Sequence, residues 1–283
     1  MLATRLAVGL NKRDMTYRSK HDKRNGLLHF KSAEPLAGYW RYWPSPDLAP
    51  YIEHYWTVEW NLPEPQLRET LPYPSAHIIL EPGVALVGGV NTAKFSRMLE
   101  GNGRVLGVKF RPGGLRPFVA QPVCAFTNKV FALHDVFGAA AAGLDRRVLE
   151  HADHQAAIAV VESFLRDLHP RWDEAIGLAA GIAERIANDR QIKQVEQVVQ
   201  AFKISTRKLQ RLFNEYVGVS PKWIIQRYRL HEAAERMASA AALAWADIAI
   251  ELGYADQAHF IRDFKKVVGK SPADYFRALS PAG

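Results

Sequence analysis

The sequence is poor in cysteine and has no long apolar run. Its single cysteine, Cys124, cannot form a disulfide within the chain, which is typical of a protein of the reducing cytoplasm. Because Cys124 lies between Val123 and Ala125, we expect its thiol to be buried rather than reactive. No stretch approaches the roughly 18 apolar residues that a membrane-spanning helix needs, and the first residues do not have the pattern of a signal peptide. The sequence therefore predicts a cytoplasmic protein without a membrane segment.

The chain also lacks the common motifs of catalysis and of phosphate or metal binding. It contains no Gly-x-Ser-x-Gly motif, no Gly-x-x-x-x-Gly-Lys loop and no cysteine and histidine pair that would form a nucleophile. Two histidines and two glutamates in the first half lack the close paired spacing of metal ligands, so structural or surface roles are expected for them. They are His54, His77, Glu59 and Glu81. The prediction is a protein that is not an enzyme and has no metal or cofactor.

The net charge of +8 is concentrated at the amino terminus. Residues 1–24 contain seven basic residues against two acidic ones, a net charge of +5. The segment from Trp172 to the end contains sixteen basic residues against thirteen acidic ones, a net charge of only +3. Net charge alone therefore does not establish nucleic-acid binding, which must rest on the positions of individual side chains. We expect residues 1–25 to form a basic, flexible arm, with a non-specific phosphate-binding arm as the alternative.

Short apolar or aromatic runs, separated by proline, glycine and asparagine, fill the chain between residues 36 and 123. The runs predict strands at residues 51–60, 77–81, 85–90 and 103–110. Evenly spaced short strands are typical of a small β-sandwich or barrel.

Aromatic residues are dense in this β-rich region. Ligand pockets are largely apolar with a few polar groups, so some of these aromatics could line an effector site. The candidates are Trp43, Tyr55, Trp56 and Trp60. The alternative is that they belong to the hydrophobic core.

From residue 133 to 169 the spacing of apolar residues becomes helical. Two apolar stripes predict a connecting layer of two helices. They consist of Val136, Phe137, Ala140 and Leu144, and of Ile158, Val161, Phe164, Leu165 and Leu168. His169-Pro170 followed by Trp172-Asp173 indicates the end of one helical segment and the start of another. We therefore predict a domain boundary near residue 170.

The segment that follows contains a repeat with an offset of 51 residues. Residues 213–221 (FNEYVGVSP) align with residues 264–272 (FKKVVGKSP), and Leu209 aligns with Phe260. In each Gly-x-Ser-Pro piece the glycine is suited to the end of one helix and the proline to the first turn of the next. Agreement at so many positions indicates an internal duplication.

Each copy is predicted to contain a short apolar helix, a turn, and a second helix with one apolar and one polar face. This arrangement is typical of a helix-turn-helix motif, whose second helix lies in the major groove of DNA. Ser205 and Asp256 precede the two second helices, and both residue types accept hydrogen bonds from first-turn amides. Pro221 to about Ser239 is predicted to be a helix between the copies, about 27 Å long. That length suits two recognition helices held roughly 34 Å, one DNA turn, apart.

Five motifs of this region occur together. They are residues 204–213 (ISTRKLQRLF), 218–221 (GVSP), 249–254 (AIELGY), 256–264 (DQAHFIRDF) and 269–272 (GKSP). In combination they resemble the DNA-binding domain of the AraC/XylS family of bacterial transcriptional regulators. Two motifs of the first half, residues 46–56 (PDLAPYIEHYW) and 107–114 (GVKFRPGG), resemble a less well understood amino-terminal domain found on some members. The resemblance implies a β-rich regulatory domain that precedes two DNA-binding motifs.

Carried over by position, the resemblance implies contacts to base edges or phosphates from both recognition helices. The residues are Arg207, Gln210 and Arg211 in the first helix, and Gln257, His259 and Arg262 in the second. Arginine suits guanine and glutamine suits adenine in the major groove, while lysine is effective at phosphates. We therefore expect Lys208, Lys265 and Lys266 at phosphates. A solvated surface charge is the alternative for each residue, and packing against neighbouring aromatic residues is the alternative for His259.

The whole sequence predicts an α+β fold. Residues 26–170 would form the regulatory domain, β-rich to about 130 and helical over 133–169, and residues 171–283 an all-α DNA-binding domain. The predicted function is a DNA-binding transcription regulator, with double-stranded DNA and RNA polymerase as the partners that the resemblance implies. A small-molecule effector, not identified by the sequence, and a homodimer through the amino-terminal domain are further expectations. The alternative is an enzyme or DNA-repair sensor targeted to DNA by the helical half, but a cysteine-metal centre of that kind needs several cysteines.

Overall fold

The computed structural model describes residues 38–71, 73–239 and 245–279, and the predicted arm of residues 1–25 lies outside them. The amino-terminal half is built on one antiparallel sheet whose strand order is β1-β2-β5-β3-β4-β6. The strands are β1 (Gly38–Tyr42), β2 (Ile52–Thr70), β3 (His77–Glu81), β4 (Val84–Gly88), β5 (Phe95–Phe110) and β6 (Val130–Ala132). The β-rich prediction is confirmed, and the described strands form a single sheet rather than the two stacked sheets of a sandwich.

Strands β2 and β5 are longer than the sequence predicts. They pair from Ile52 opposite Phe110 to Thr70 opposite Phe95, with an irregularity between Leu62 and Gln66. Pro63 and Pro65 lie in this irregular stretch. Because the regular hydrogen bonding between the strands is already interrupted there, the missing N–H groups of the prolines break no further hydrogen bond. The prolines therefore mark a bulge rather than the end of the strand.

Three helices pack on one face of the sheet and close the main core. They are α1 (Leu133–Phe137), α2 (Leu144–Leu149) and α3 (His154–Asp167), and a 3-10 turn separates the first two. Asp153 caps α3 by accepting a hydrogen bond from the N–H of Ala156 at 2.9 Å. The predicted stripe on α3 is buried at Ile158, Val161 and Phe164. The prediction for Cys124 is wrong: it lies exposed in a 3-10 turn in which Val123 and Phe126 supply the buried side chains.

The carboxyl-terminal half is helical throughout its described residues. It consists of α4 (Glu174–Asn188), α5 (Val195–Phe202), α6 (Thr206–Leu212), α7 (Pro221–Ser239), α8 (Trp245–Glu251), α9 (Gln257–Val268) and α10 (Pro272–Leu279). The long helix α7 has the predicted limits and contributes to two cores. Ile224 and Ile225 pack with α4, α5 and α6, whereas Leu230 and Met237 pack with α8, α9 and α10. No described helix is long and apolar enough to cross a membrane.

Candidate nucleic-acid interface

The first helix-turn-helix motif consists of α5, a tight turn and α6. Helix α5 is followed by its C-cap residue Lys203, which has a left-handed backbone (φ 51°), and the N–H of Ile204 donates to the carbonyl oxygen of Val199 at 3.3 Å. The Ser205 hydroxyl then accepts a hydrogen bond from the N–H of Lys208 at 3.2 Å. This bond satisfies one of the free amides at the start of α6 and fixes the direction of that helix.

The second motif repeats this geometry with α8 and α9. Gly253 has a left-handed backbone (φ 82°), and the N–H of Tyr254 donates to the carbonyl oxygen of Ala249 at 2.9 Å. The Asp256 carboxylate accepts from the N–H of His259 at 2.6 Å, as the capping prediction requires. The two hydrogen bonds match Gly253 with Lys203 and Tyr254 with Ile204. The second motif therefore has one additional residue, Ala255, before its capping residue Asp256.

Both recognition helices have the predicted buried and exposed faces. The buried face of α6 carries Leu209 and Leu212, and that of α9 carries Phe260 and Phe264. Eight of the nine predicted DNA-contact residues are exposed on the opposite faces. They are Arg207, Lys208, Gln210 and Arg211 on α6, and Gln257, Arg262, Lys265 and Lys266 on α9. Because their buried neighbours hold the helices in place, these side chains are presented to solvent on a fixed scaffold.

His259, the ninth residue, differs from the other eight. Its side chain is 42% exposed, and its Nε2 atom lies 3.6 Å from Oδ2 of Asp263. The ring also makes an edge contact with Tyr254, with ring centroids 5.2 Å apart. His259 is therefore engaged within its own motif, which supports the packing alternative.

The four aromatic residues predicted to line an effector pocket lie in different surroundings. Tyr55 is fully buried in the main core, where its hydroxyl donates to Glu162 at 3.3 Å, and burial raises the pKa of that hydroxyl. Trp56 and Trp60 extend from the other face of β2 and cover Gly107 and Gly103 of β5. Trp43 is 52% exposed. The side-chain alternation of a strand places Tyr55 and Trp56 on opposite faces of the sheet, and an effector site lined by these aromatic residues stays a prediction.

A junction between the two halves, absent from the sequence predictions, lies at the end of the first recognition helix. We call Arg116, Thr127, Glu215 and Gly218 the first-motif junction. The Arg116 guanidinium donates to the Glu215 carboxylate at 2.7 Å, and the Thr127 hydroxyl donates to the Gly218 carbonyl oxygen at 2.6 Å. Val90, from the loop after β4, also enters the core of the first motif. The amino-terminal half therefore holds the first motif directly.

A polar cluster connects the sheet with helix α7. The Lys109 ammonium lies 2.9 Å from Glu53 and 4.6 Å from the ring centroid of Tyr73, whose ring lies 4.4 Å from that of His231 on α7. Burial alone would raise the pKa of Glu53, but His54 and Lys109 outweigh it and lower the pKa to about 2. The Glu53 carboxylate is therefore ionised and is matched by the buried ammonium.

His77 faces the same cluster. Burial, with the positive charge of Lys109, lowers the pKa of His77 to about 3, so the imidazole is neutral near pH 7. The described residues contain no group of histidine, cysteine and carboxylate side chains suited to a metal ion. The cluster thus joins the sheet to α7 through ion pairing and ring contacts.

Two family models match the chain. Residues 40–132 match a domain of unknown function (DUF6597), and residues 198–278 match a helix-turn-helix domain. The second match covers both motifs from within α5 to within α10 and includes all nine predicted DNA-contact residues.

Two bacterial relatives carry the name of uncharacterized HTH-type transcriptional regulators. The chain is 29% identical to YfiF of Bacillus subtilis over 141 residues, which cover 48% of this chain and 44% of YfiF. It is 31% identical to a protein of Haemophilus influenzae over 86 residues, which cover 30% of this chain and 28% of that protein. The chain thus matches less than half the length of either relative.

Solved structures give weaker likenesses. The carboxyl-terminal domain of AraT from Geobacillus stearothermophilus is 27% identical, covers 36% of this chain and 90% of its own, and has a TM-score of 0.32. ToxT from Vibrio cholerae is 11% identical, covers 79% of this chain and 97% of its own, and has a TM-score of 0.38. Scores this low add nothing to the two domain matches. Both relatives are named as transcriptional regulators rather than enzymes, in agreement with the sequence prediction. Residues 198–278 therefore form a helix-turn-helix domain, and residues 40–132 form a DUF6597 domain.

Proposed function

We propose that the protein is a sequence-specific, DNA-binding transcriptional regulator that places α6 and α9 in successive major grooves. The observation that carries this proposal is the pair of capped amphipathic helices at equivalent positions of one repeat, each with its long polar side chains exposed. Helix α7 has 19 residues, which span about 28 Å. A separation of that order suits two contacts on one side of a DNA duplex, about one turn apart.

The exposed residues support a division of roles. Arg207, Arg211 and Arg262 have no hydrogen bond or ion pair with any described part of the chain, so their guanidinium groups are available to guanine edges or phosphates. Gln210 and Gln257 are suited to adenine. Lys208, Lys265 and Lys266 would bind phosphates and fix the register on the duplex.

Control would come from the amino-terminal half, proposed as residues 26–170 next to a DNA-binding half of residues 171–283. The first-motif junction connects the amino-terminal half to the end of the first recognition helix, and the cluster around Lys109 connects it to α7 between the two motifs. A small molecule or a partner protein that changes the sheet could thereby change the position of the first motif. RNA polymerase contact, dimerisation through the amino-terminal half and a cytoplasmic location belong to the same proposal.

The test is selection of bound DNA from a random library, followed by affinity measurements on the selected site. Arg211→Ala and Arg262→Ala should each weaken binding by about 1–3 kcal/mol and relax base preference at separate positions, one per groove. The matched control is Arg147→Ala, which removes an exposed arginine from α2 in the other half. If both variants bind like the control, the assignment of these arginines to DNA is wrong. If the wild-type protein enriches no sequence, the proposed function is wrong.

A further inference from the structure

Helix α4, which packs in the core of the first helix-turn-helix motif, is connected to α8 of the second motif by an ion network centred on Glu232 of α7. The side chain is almost fully enclosed, with 7% of the residue exposed. One carboxylate oxygen accepts from Arg229 at 2.7 Å and the other from Arg236 at 2.6 Å. Arg190, in the loop after α4, has its Nε atom 3.6 Å from the same carboxylate. A single acidic group is therefore shared by three guanidinium groups.

The arginines extend from this carboxylate toward α4 on one side and α8 on the other. Arg229 donates to the carbonyl oxygens of Ile186 and Asp189, at 2.9 and 3.2 Å, and so closes the carboxyl-terminal end of α4 in the first half of the domain. Arg236 forms an ion pair with Glu251, the last residue of α8 in the second motif. The network thus runs from α4 through α7 to α8.

A backbone contact accompanies the network. Gly253, in the turn of the second motif, lies against Lys193 in the loop before α5, so closely that a Cβ atom on Gly253 would be 3.0 Å from Cβ of Lys193. The two motifs therefore meet beside α7 as well as through it. Their separation depends on whether α7 can rotate or bend relative to α4 and α8, and the Glu232 network opposes both movements.

We propose that Glu232 is a positioning residue that fixes the spacing and relative rotation of the two recognition helices. It thereby determines which separation of half-sites the protein accepts. This inference rests on the proposed DNA-binding function. A shift of one base pair moves a half-site by about 3.4 Å and rotates it by about 36°, so a rigid pair of helices discriminates against it and a loosened pair does not. Glu232 contacts no base in this scheme and acts through Arg229 and Arg236.

The first experiment measures the positioning without DNA. Spin labels at Lys208→Cys on α6 and Lys265→Cys on α9, in a Cys124→Ser background, report the distance between the recognition helices by pulsed electron paramagnetic resonance. Glu232→Gln should broaden the distance distribution, and Glu251→Gln should broaden it less because only the α8 end of the network is lost. Glu184→Gln, at an exposed site on α4 without a polar partner among the described residues, is the matched control. If Glu232→Gln folds and its distribution is as narrow as that of the control, the proposal is overturned. If it does not fold, Glu251→Gln decides by the same criterion.

The second experiment measures spacing preference on DNA. Wild-type protein should prefer the selected site over versions with one base pair inserted or deleted between half-sites by about tenfold, a typical effect of a single unfavourable change. In Glu232→Gln this preference should fall to about twofold while the affinity for an isolated half-site is unchanged. Retained spacing preference in the folded variant overturns the inference and leaves DNA binding intact. Failure of wild-type protein to bind any selected DNA refutes the proposed function instead, because the label distances are measured separately.

Discussion

The two helix-turn-helix motifs share one repeat but differ in how the amino-terminal half contacts them. The end of the first recognition helix is held by Arg116 at Glu215 and by Thr127 at Gly218. The second motif receives Leu71 in its core, and Lys94 lies beside Gly269. With the offset of 51, Glu215 corresponds to Lys266, which is exposed. The same position thus contacts the amino-terminal half in one copy and carries an exposed positive charge in the other.

The two copies of the repeat therefore share their buried apolar positions but differ in the side chains on their surfaces. Leu209 and Phe260 occupy equivalent positions, and both are fully buried. Glu215 and Lys266 have opposite charges and different surroundings. The two motifs therefore differ in the side chains that follow the core of the recognition helix, although each core includes a residue of the amino-terminal half, Val90 in the first and Leu71 in the second.

The largest expected effect concerns the independence of the two motif cores. Phe260→Ala removes a fully buried ring from the second core and should destabilise the protein by about 3–5 kcal/mol in urea unfolding. Because the first core is packed separately and includes Val90, hydrogen exchange should accelerate in α8 and α9 while α5 and α6 stay protected.

Leu209→Ala is the matched change in the first core, with an expected loss of about 2–5 kcal/mol. Its effect should spread to the amino-terminal half through the first-motif junction. If Phe260→Ala exposes both motifs equally, the two cores form one cooperative unit and the comparison fails.

The next effect compares two equivalent glycines. Gly218 (φ 92°) and Gly269 (φ 82°) both have backbone conformations that cost other residues about 1–2 kcal/mol. A Cβ atom on Gly218 would also lie 2.8 Å from Thr127 Oγ1 and 3.1 Å from the Val123 carbonyl oxygen, whereas on Gly269 it would meet the flexible end of Lys94. Gly218→Ala should therefore cost about 1–3 kcal/mol more than Gly269→Ala, measured by urea unfolding of the two variants. Equal losses of stability in the two variants would show that the first-motif junction accommodates the added Cβ atom without strain.

The sequence predicted those features that depend on local pattern. Strand β3, helix α7, both helix caps and the exposed faces of α6 and α9 follow from side-chain periodicity and from residues such as Ser205 and Asp256. The length of β2 was not predicted because Pro63 and Pro65 resemble a strand end, and only the pairing with β5 shows that they lie in a bulge.

Other features depend on contacts between distant residues. Arg116 and Glu215 are separated by 99 positions, and neither belongs to a pattern that indicates its partner. The aromatic residues Tyr55 and Trp56 are adjacent in the sequence but lie on opposite faces, since neighbouring residues of a strand alternate. Local chemistry thus predicted the exposed polar faces of α6 and α9, whereas the junction and the Glu232 network could be found only from the fold.

A smaller effect concerns Glu215 and Lys266, which occupy the same position of the repeat. Lys266→Ala should weaken DNA binding by about 1 kcal/mol and lower the slope of log affinity against log salt by about one, since one phosphate contact is lost. Glu215→Ala should leave that slope unchanged, because its partner is Arg116 rather than DNA. The measurement is DNA affinity over a salt series. Equal slopes for wild type and Lys266→Ala would remove Lys266 from the interface.

The smallest effect concerns the turns, where Lys203 and Gly253 occupy corresponding left-handed positions. An exposed lysine in this conformation costs about 1–2 kcal/mol, while a glycine there adds about 0.5–1 kcal/mol of unfolded-chain entropy. Lys203→Gly should therefore stabilise the protein by about 0.5–1 kcal/mol and move the urea midpoint upward. The matched control is Lys265→Gly within α9, which should destabilise by about 1 kcal/mol because the same change falls in regular helix. Should both variants lose stability, Lys203 is not strained, and the two turns are energetically alike despite their different residues.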